Sequence, residues 1–171
     1  MWTSRTRANY ARDNLTYASN LSCEEWQIIE PLLTRPARTG RPWEWPMKSI
    51  IEAIFYVLRS GCQWRMLPSD FPPWQTVYGW FRRLQTTGVW EAINHALVMA
   101  SRERGNREAS PTAGVIDSQS VKATETPGAH GYDGGKKIYG CKRHILTDTE
   151  GHLLSAIVHD ARIQDRAARC C

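Results

Sequence analysis

No apolar run in this sequence approaches the ~18–20 residues that a membrane-spanning helix needs, so no membrane partner is expected. The first residues carry Arg5, Arg7 and Arg12 among polar neighbours and lack the apolar core of a secretory signal. They read as a flexible tail over residues 1–20. The five cysteines (Cys23, Cys62, Cys141, Cys170, Cys171) are odd in number and contain no C-x-x-C pair. That argues against a zinc site or disulfide framework and for a reducing, cytoplasmic setting. H-E-x-x-H and G-x-x-x-x-G-K-[ST] are both missing, which leaves no zincin signature and no phosphate loop. Neither sign of charge dominates: 22 Lys and Arg against 17 Asp and Glu give a net charge of +5. Such a mild basic excess is compatible with nucleic acid but far from histone-like.

What is present is enough apolar material for a core. Hydrophobic residues make up 42% of 171 positions, including eight tryptophans, most of them set within apolar periodic runs. Leu21-Ser22-Cys23-Glu24-Glu25-Trp26 opens a first helix, with Ser22 and Glu25 forming an S-x-x-E capping box. Trp26, Ile29 and Leu33 follow at helical spacing, and Pro36 and Gly40-Arg41-Pro42 end the helix in a basic loop, Arg35 to Arg41. A second helix starts at Pro46, with Met47, Ile50, Ile51, Ile54, Val57 and Leu58 on its apolar side and Gly61 as its stop. After a connector rich in aromatic and Pro residues, Trp74 to Thr87 forms a third helix, and Trp90, Ile93, Leu97 and Val98 mark a fourth. Short connectors between four helices predict an all-α domain over 21–107.

The third helix has the more informative outer face. Gln75, Thr76, Tyr78, Arg82 and Arg83 are hydrogen-bonding or basic groups suited to base edges and phosphates. Following a helix and a Pro-rich turn, it reads as a helix-turn-helix variant; the competing reading is a solvated amphipathic helix kept soluble by its two Arg. Arg102 to Ser110 is a charged linker, and the periodicity then changes, predicting a second domain over 108–171. Val115 and Ile116 form a buried strand ending at Asp117, which either caps a turn or faces a cleft as a metal-binding acid. Glu125 to Gly135 reads as a Gly-rich loop. Further strands are expected at about Lys142 to Asp148 and Leu153 to His159, joined by Thr149-Glu150-Gly151. Lys136, Lys137, Lys142 and Arg143 form the densest basic patch, suited to a phosphate backbone or simply to solvent. The histidines support no Ser-His-Asp assignment, because nothing places Ser118 or Ser120 near one, and His152 and His159 read as surface residues.

Several ordered blocks carry a resemblance. They are A-I-F-Y-V-L-R-S-G-C-Q-W-R-M-L-P (53–68), F-P-P-W-Q-T-V-Y (71–78), I-D-S-Q-S-V-K (116–122), G-Y-D-G-G-K-K (131–137) and K-R-H-I-L-T-D (142–148). Through them the chain resembles the DDE transposases of bacterial insertion sequences, specifically the insertion-sequence-five type, from about Leu21 to Asp165. The resemblance implies an α+β protein: a helix-turn-helix-like DNA-binding domain, then an incomplete RNase H-like α/β domain of three strands. It makes Asp117 the first of three metal-binding acids and a catalytic residue. It implies Mg²⁺ or Mn²⁺ as cofactor, with the two ions of such sites roughly 3.5–4 Å apart. Gln75, Thr76, Tyr78, Arg82, Arg83, Lys122, Lys136, Lys137, Lys142 and Arg143 become the candidate contacts to double-stranded DNA at the element's terminal repeats.

The second and third acids of that family have no counterpart before Cys171; Asp160 and Asp165 come too early to replace them. The expectation is a C-terminally truncated chain, inactive alone, with a homodimer or a downstream-frame half as candidate partner. The alternative expectation is a non-catalytic DNA-binding fragment that represses transposition. An unpaired strand edge is expected along Leu153 to His159.

Overall fold

The computed structural model describes residues 3–4, 11–12, 15–33, 44–122 and 130–163. The basic loop 35–41 and positions 123–129 of the Gly-rich stretch lie outside the described residues. The chain divides into two compact units, Met1–Ile93 and Asn94–Cys171.

In the first unit, helix α1 (Cys23–Ile29) starts on a reciprocal cap. The Ser22 hydroxyl accepts from the Glu25 N–H at 3.1 Å, and the Glu25 carboxylate accepts from the Ser22 N–H at 2.8 Å. The chain tightens into a 3₁₀ turn at Glu30–Leu32, where Pro31 fits because its missing N–H has no helical acceptor to serve. Helix α2 (Met47–Ser60) buries Ile50, Ile51, Ala53, Ile54 and Val57. Each such apolar side chain contributes roughly 1.5–3 kcal/mol on full burial. Leu58, expected on the apolar side, is 58% exposed, because one step past Val57 turns it away from the core. Gly61 ends the helix in the left-handed conformation (φ 68°), donating its N–H to the Val57 carbonyl.

A 3₁₀ turn at Trp64–Met66 leads to helix α3 (Trp74–Thr86), which opens after buried Pro72 and buries Val77 and Leu84. Trp64 ties the connector to α3, its ring 5.3 Å from Tyr78 and 5.2 Å from Phe81. Part of the expected tail is also packed: Tyr17 stacks on Phe71 at 5.1 Å and donates its hydroxyl to Asp70 at 2.9 Å. Gly88 (φ 70°) makes the turn into helix α4 (Val89–Arg104), which crosses the boundary between the units and continues into the segment expected as linker.

The second unit is an antiparallel sheet of four strands: β1 (Gly114–Lys122), β2 (Gly131–Asp133), β3 (Ile138–Asp148) and β4 (Leu153–Asp160). The α+β architecture is therefore as expected, with β2 as an added strand inside the stretch read as loop. Strand β3 is central. Along one side it pairs with β1, Gly114 opposite Asp148 through Lys122 opposite Gly140. Its other side is shared by β2 at Ile138–Gly140 and β4 at Cys141–Thr147, with an irregularity between Leu146 and Thr147.

Two expectations about β1 are corrected. The strand does not end at Asp117 but runs through the polar residues to Lys122, because β3 continues to supply partners in register. It is also not buried: Val115 is 59% and Ile116 62% exposed. Register places opposite residues on one face. One face collects the buried or half-buried Ser118, Ser120, Asp133, Lys142, His144 and Asp148. The other carries exposed Val115, Asp117, Gln119, Tyr132, Tyr139, Arg143 and Val158. The most buried residues of the first face are polar, although Ile116, Leu146 and Ile157 share it, and the second face carries exposed apolar side chains.

Candidate functional site

On α3, Val77 and Leu84 face the core, so the 3.6-residue period turns Gln75, Tyr78, Gly79, Arg82 and Arg83 outward, all exposed. Thr76 is half-buried. Gln75, Tyr78, Gly79 and Arg82 follow one another at i, i+3, i+4 and i+7, which sets them in one row along the helix. Arg82 donates to the Gln85 side chain at 3.4 Å, and Arg83 lies over the Trp80 ring at 5.1 Å. The row offers donors, the acceptor oxygens of Gln75 and Tyr78 and one cation, with Arg83 beside it as a second.

Asp117 sits in the middle of β1, opposite Ile145 and exposed. A β-strand holds such a carboxylate on rigid backbone, as a metal-binding acid requires. Two cations reach its strand neighbours: Lys136 donates its ammonium to the carbonyl of adjacent Ser118 at 3.0 Å, and Arg143 donates to the Gln119 side chain at 2.7 Å on the same face. Among the described residues no group of three His, Cys, Asp or Glu is arranged to hold a metal ion. One carboxylate does not make a two-metal cradle, so the described residues by themselves do not fit the pair of ions.

The basic patch of the sequence separates into two kinds of residue. Lys122, Lys136, Lys137 and Arg143 are exposed. Lys142 is not part of that surface: it is 4% exposed, donates to the Ile163 carbonyl at 3.0 Å and lies 3.4 Å from the Asp133 carboxylate. Alternation explains the split, since Lys142 faces the covered side while Arg143 faces the open one. Asp133 organises the turn that presents the lysines. Its Oδ1 accepts from the N–H groups of Gly135 and Lys136 at 3.0 and 3.1 Å, and its Oδ2 accepts from the Ser120 hydroxyl at 2.6 Å. The Ser120 hydrogen bond, then the Lys136 N–H and Lys142, hold the Asp133 carboxyl down at about 2 despite its burial. The turn leaves Lys137 with φ 54°, a conformation sparsely allowed for a side-chain-bearing residue.

A second polar cluster was hidden from sequence reasoning. Asp148, 2% exposed, accepts from the backbone N–H groups of Glu150 and His152 at 2.9 and 2.8 Å and closes the β3–β4 turn around Gly151 (φ 86°). Arg102 of α4 donates to the same carboxylate at 2.6 Å, and its Nε bonds the Glu108 carbonyl. Burial pushes the Asp148 pKa up, but the His152 N–H, Arg102, the His152 ring and the Glu150 N–H outweigh it and hold it well below the carboxylate range. His152 bridges Asp148 at 3.1 Å and the Ser101 hydroxyl at 3.0 Å. Ser101, His152 and Asp148 thus meet in space, although Asp148 is spent on an ion pair and a turn. The cluster clamps α4 to the hairpin. His159 is likewise not a plain surface residue, its ring stacking on His144 at 4.8 Å.

With this geometry in place, the comparisons can be read. Residues 108–168, the segment that contains the sheet and Asp117, match the transposase DDE domain. Residues 21–94, covering α1 to the start of α4, match the transposase family of IS4/5 elements. An uncharacterized 16.2 kDa protein of insertion element IS402 from Burkholderia cepacia is 34% identical over 107 residues, 58% of this chain and 71% of the relative. The chain therefore belongs to the transposases of the IS4/5 insertion-element family. No solved structure matches it. Among the described residues no helix is long and apolar enough to cross a membrane.

Proposed function

We propose that this transposase-family chain grips the ends of its insertion element through α3 and contributes Asp117 as one acid of a metal-dependent DNA strand-transfer site. The observation that supports the first part most is the exposed row Gln75, Tyr78, Gly79, Arg82, with Arg83 beside it. Such side chains match base edges and phosphates. Exposed Lys122, Lys136, Lys137 and Arg143 give the sheet unit positive surface of its own, suited to a DNA backbone. A DDE domain works with divalent metal ions, which supply Lewis acidity toward the scissile phosphate. In this reading Asp117 would ligate one. Any further acids of such a site lie outside the described residues, in this chain or in a partner polypeptide.

A second reading draws on the same carboxylate. With Asp117 the one exposed strand-borne acid among the described residues, the chain also suits a binding-only role, occupying element ends and limiting transposition. One experiment addresses both. Labelled duplexes from each end of the element, and shuffled controls, are titrated with the chain at moderate salt and then given Mg²⁺. Selective binding that Arg82→Ala weakens supports the DNA-binding reading; equal affinity for shuffled duplex overturns it. Binding without strand cleavage is expected from this chain alone, and robust cutting would refute the dependence on further acids.

A further inference from the structure

Gly79 lies in the middle of α3, and the described fold makes no demand for a glycine there. Its φ is not positive, unlike those of Gly61, Gly88 and Gly151, which need the left-handed region. A Cβ built on it meets no atom within 4 Å, and the residue is exposed. A glycine inside a helix lowers stability relative to alanine, because the unfolded chain gains freedom. Backbone conformation, packing and helix propensity therefore all permit or favour a side chain at this position. Among the described residues nothing in the fold asks for the missing side chain, which leaves a role at the exposed surface of α3.

The surroundings indicate what that is. Gly79 is at the centre of the outward row, with Gln75 one turn before it, Arg82 one turn after it, and Tyr78 and Arg83 beside them. We propose that Gly79 is the point at which α3 comes closest to the base-pair edges on the floor of a duplex DNA major groove. The proposal rests on the DNA-binding reading above and deepens it. A helix with its side chains is about 10–12 Å across and the groove is about 12 Å wide, so the fit leaves little room. Removing the central side chain lets the helix axis settle deeper. Gln75 and Arg82 then reach base edges from either side of the contact. They are seven positions apart, about 10 Å along the axis at 1.5 Å per residue, which matches roughly three base-pair steps of 3.4 Å. Their chemistry suits an adenine for the Gln75 amide and a guanine for the Arg82 guanidinium. The long 3.4 Å hydrogen bond from Arg82 to Gln85 is a contact that a base can replace.

The test exploits opposite signs. Short random duplexes are selected on the full chain, and the recovered sequence is titrated with wild type, Gly79→Ala and Arg82→Ala, alongside thermal melting. Gly79→Ala is expected to raise Tm by up to about 2–4 °C, as a relieved helix should. It is also expected to weaken binding to the selected duplex on the order of tenfold, the scale of one good base contact. The salt slope stays unchanged, since no charge is lost, whereas Arg82→Ala relaxes the preference for guanine at one position of the selected duplex. If Arg82→Ala loses affinity and Gly79→Ala does not, the close-approach proposal is overturned and the DNA-binding reading stands. A fall in Tm for Gly79→Ala also overturns it, because the fold itself would then need the glycine. If the wild-type chain enriches no sequence, the DNA-binding reading fails and takes the proposal with it.

Discussion

At the scale of single residues, Asp117 and Asp148 behave differently because their neighbours differ. Asp117 is exposed on an open strand face, so Asp117→Asn is expected to leave stability within about 0.5 kcal/mol of wild type. In an intact transposase the same substitution should abolish strand transfer; a thermal melt and a transposition assay on parallel samples check both. Ser22→Ala removes the hydroxyl that accepts the Glu25 N–H and should cost about 1 kcal/mol in chemical denaturation. Ser22 and Glu25 were legible because a cap is a local pattern, three residues long. The Arg102–Asp148 pair was not, because it joins residues 46 positions apart and neither is unusual in its own segment. Arg102→Ala should lower Tm well beyond Arg107→Ala, since the first strands a buried carboxylate and the second opens an exposed pair with Glu150.

At the scale of elements, helices α1 to α4 followed from the 3.6-residue period and from punctuation at Ser22, Gly61 and Gly88. Strands were harder, because alternation here runs against the usual sense: Lys142, His144 and Asp148 point inward while Tyr139 and Arg143 point outward. A pattern reader assigns the lysine to the surface, as the sequence analysis did. Strand β2 was missed since three residues between glycines carry no period. Yet Asp133 before Gly134-Gly135 is a turn signal that was available. The inward carboxylates give the sheet unit an acid limit. Asp133 and Asp148 both have lowered pKa values, so their charged forms stabilise the fold above the unfolded value near 3.8. That contribution is lost as pH falls through the folded value, about 2 for Asp133. Strand circular dichroism should therefore decay between about pH 4 and pH 2, and Asp133→Asn should weaken the sheet at neutral pH while flattening this step.

At the scale of the whole molecule, the family and the order of helical and sheet units were readable because long blocks of sequence carry them; the pairing pattern of the sheet was not. That pattern bears on how the protein is made. Among the described residues every other strand of the second unit pairs with β3: β2 and β4 are its neighbours in sequence, whereas β1 reaches it past β2. Strand β1 is complete at Lys122, but its partner begins only at Ile138 and is not finished until Asp148. At synthesis rates of about 5–20 residues per second, β1 waits on the order of one to several seconds with Val115 and Ile116 uncovered. During that interval a ribosome-bound chain offers an unpaired, apolar segment to chaperones and to other nascent chains, and the arrival of β3 ends the exposure of its backbone in a single zipping event.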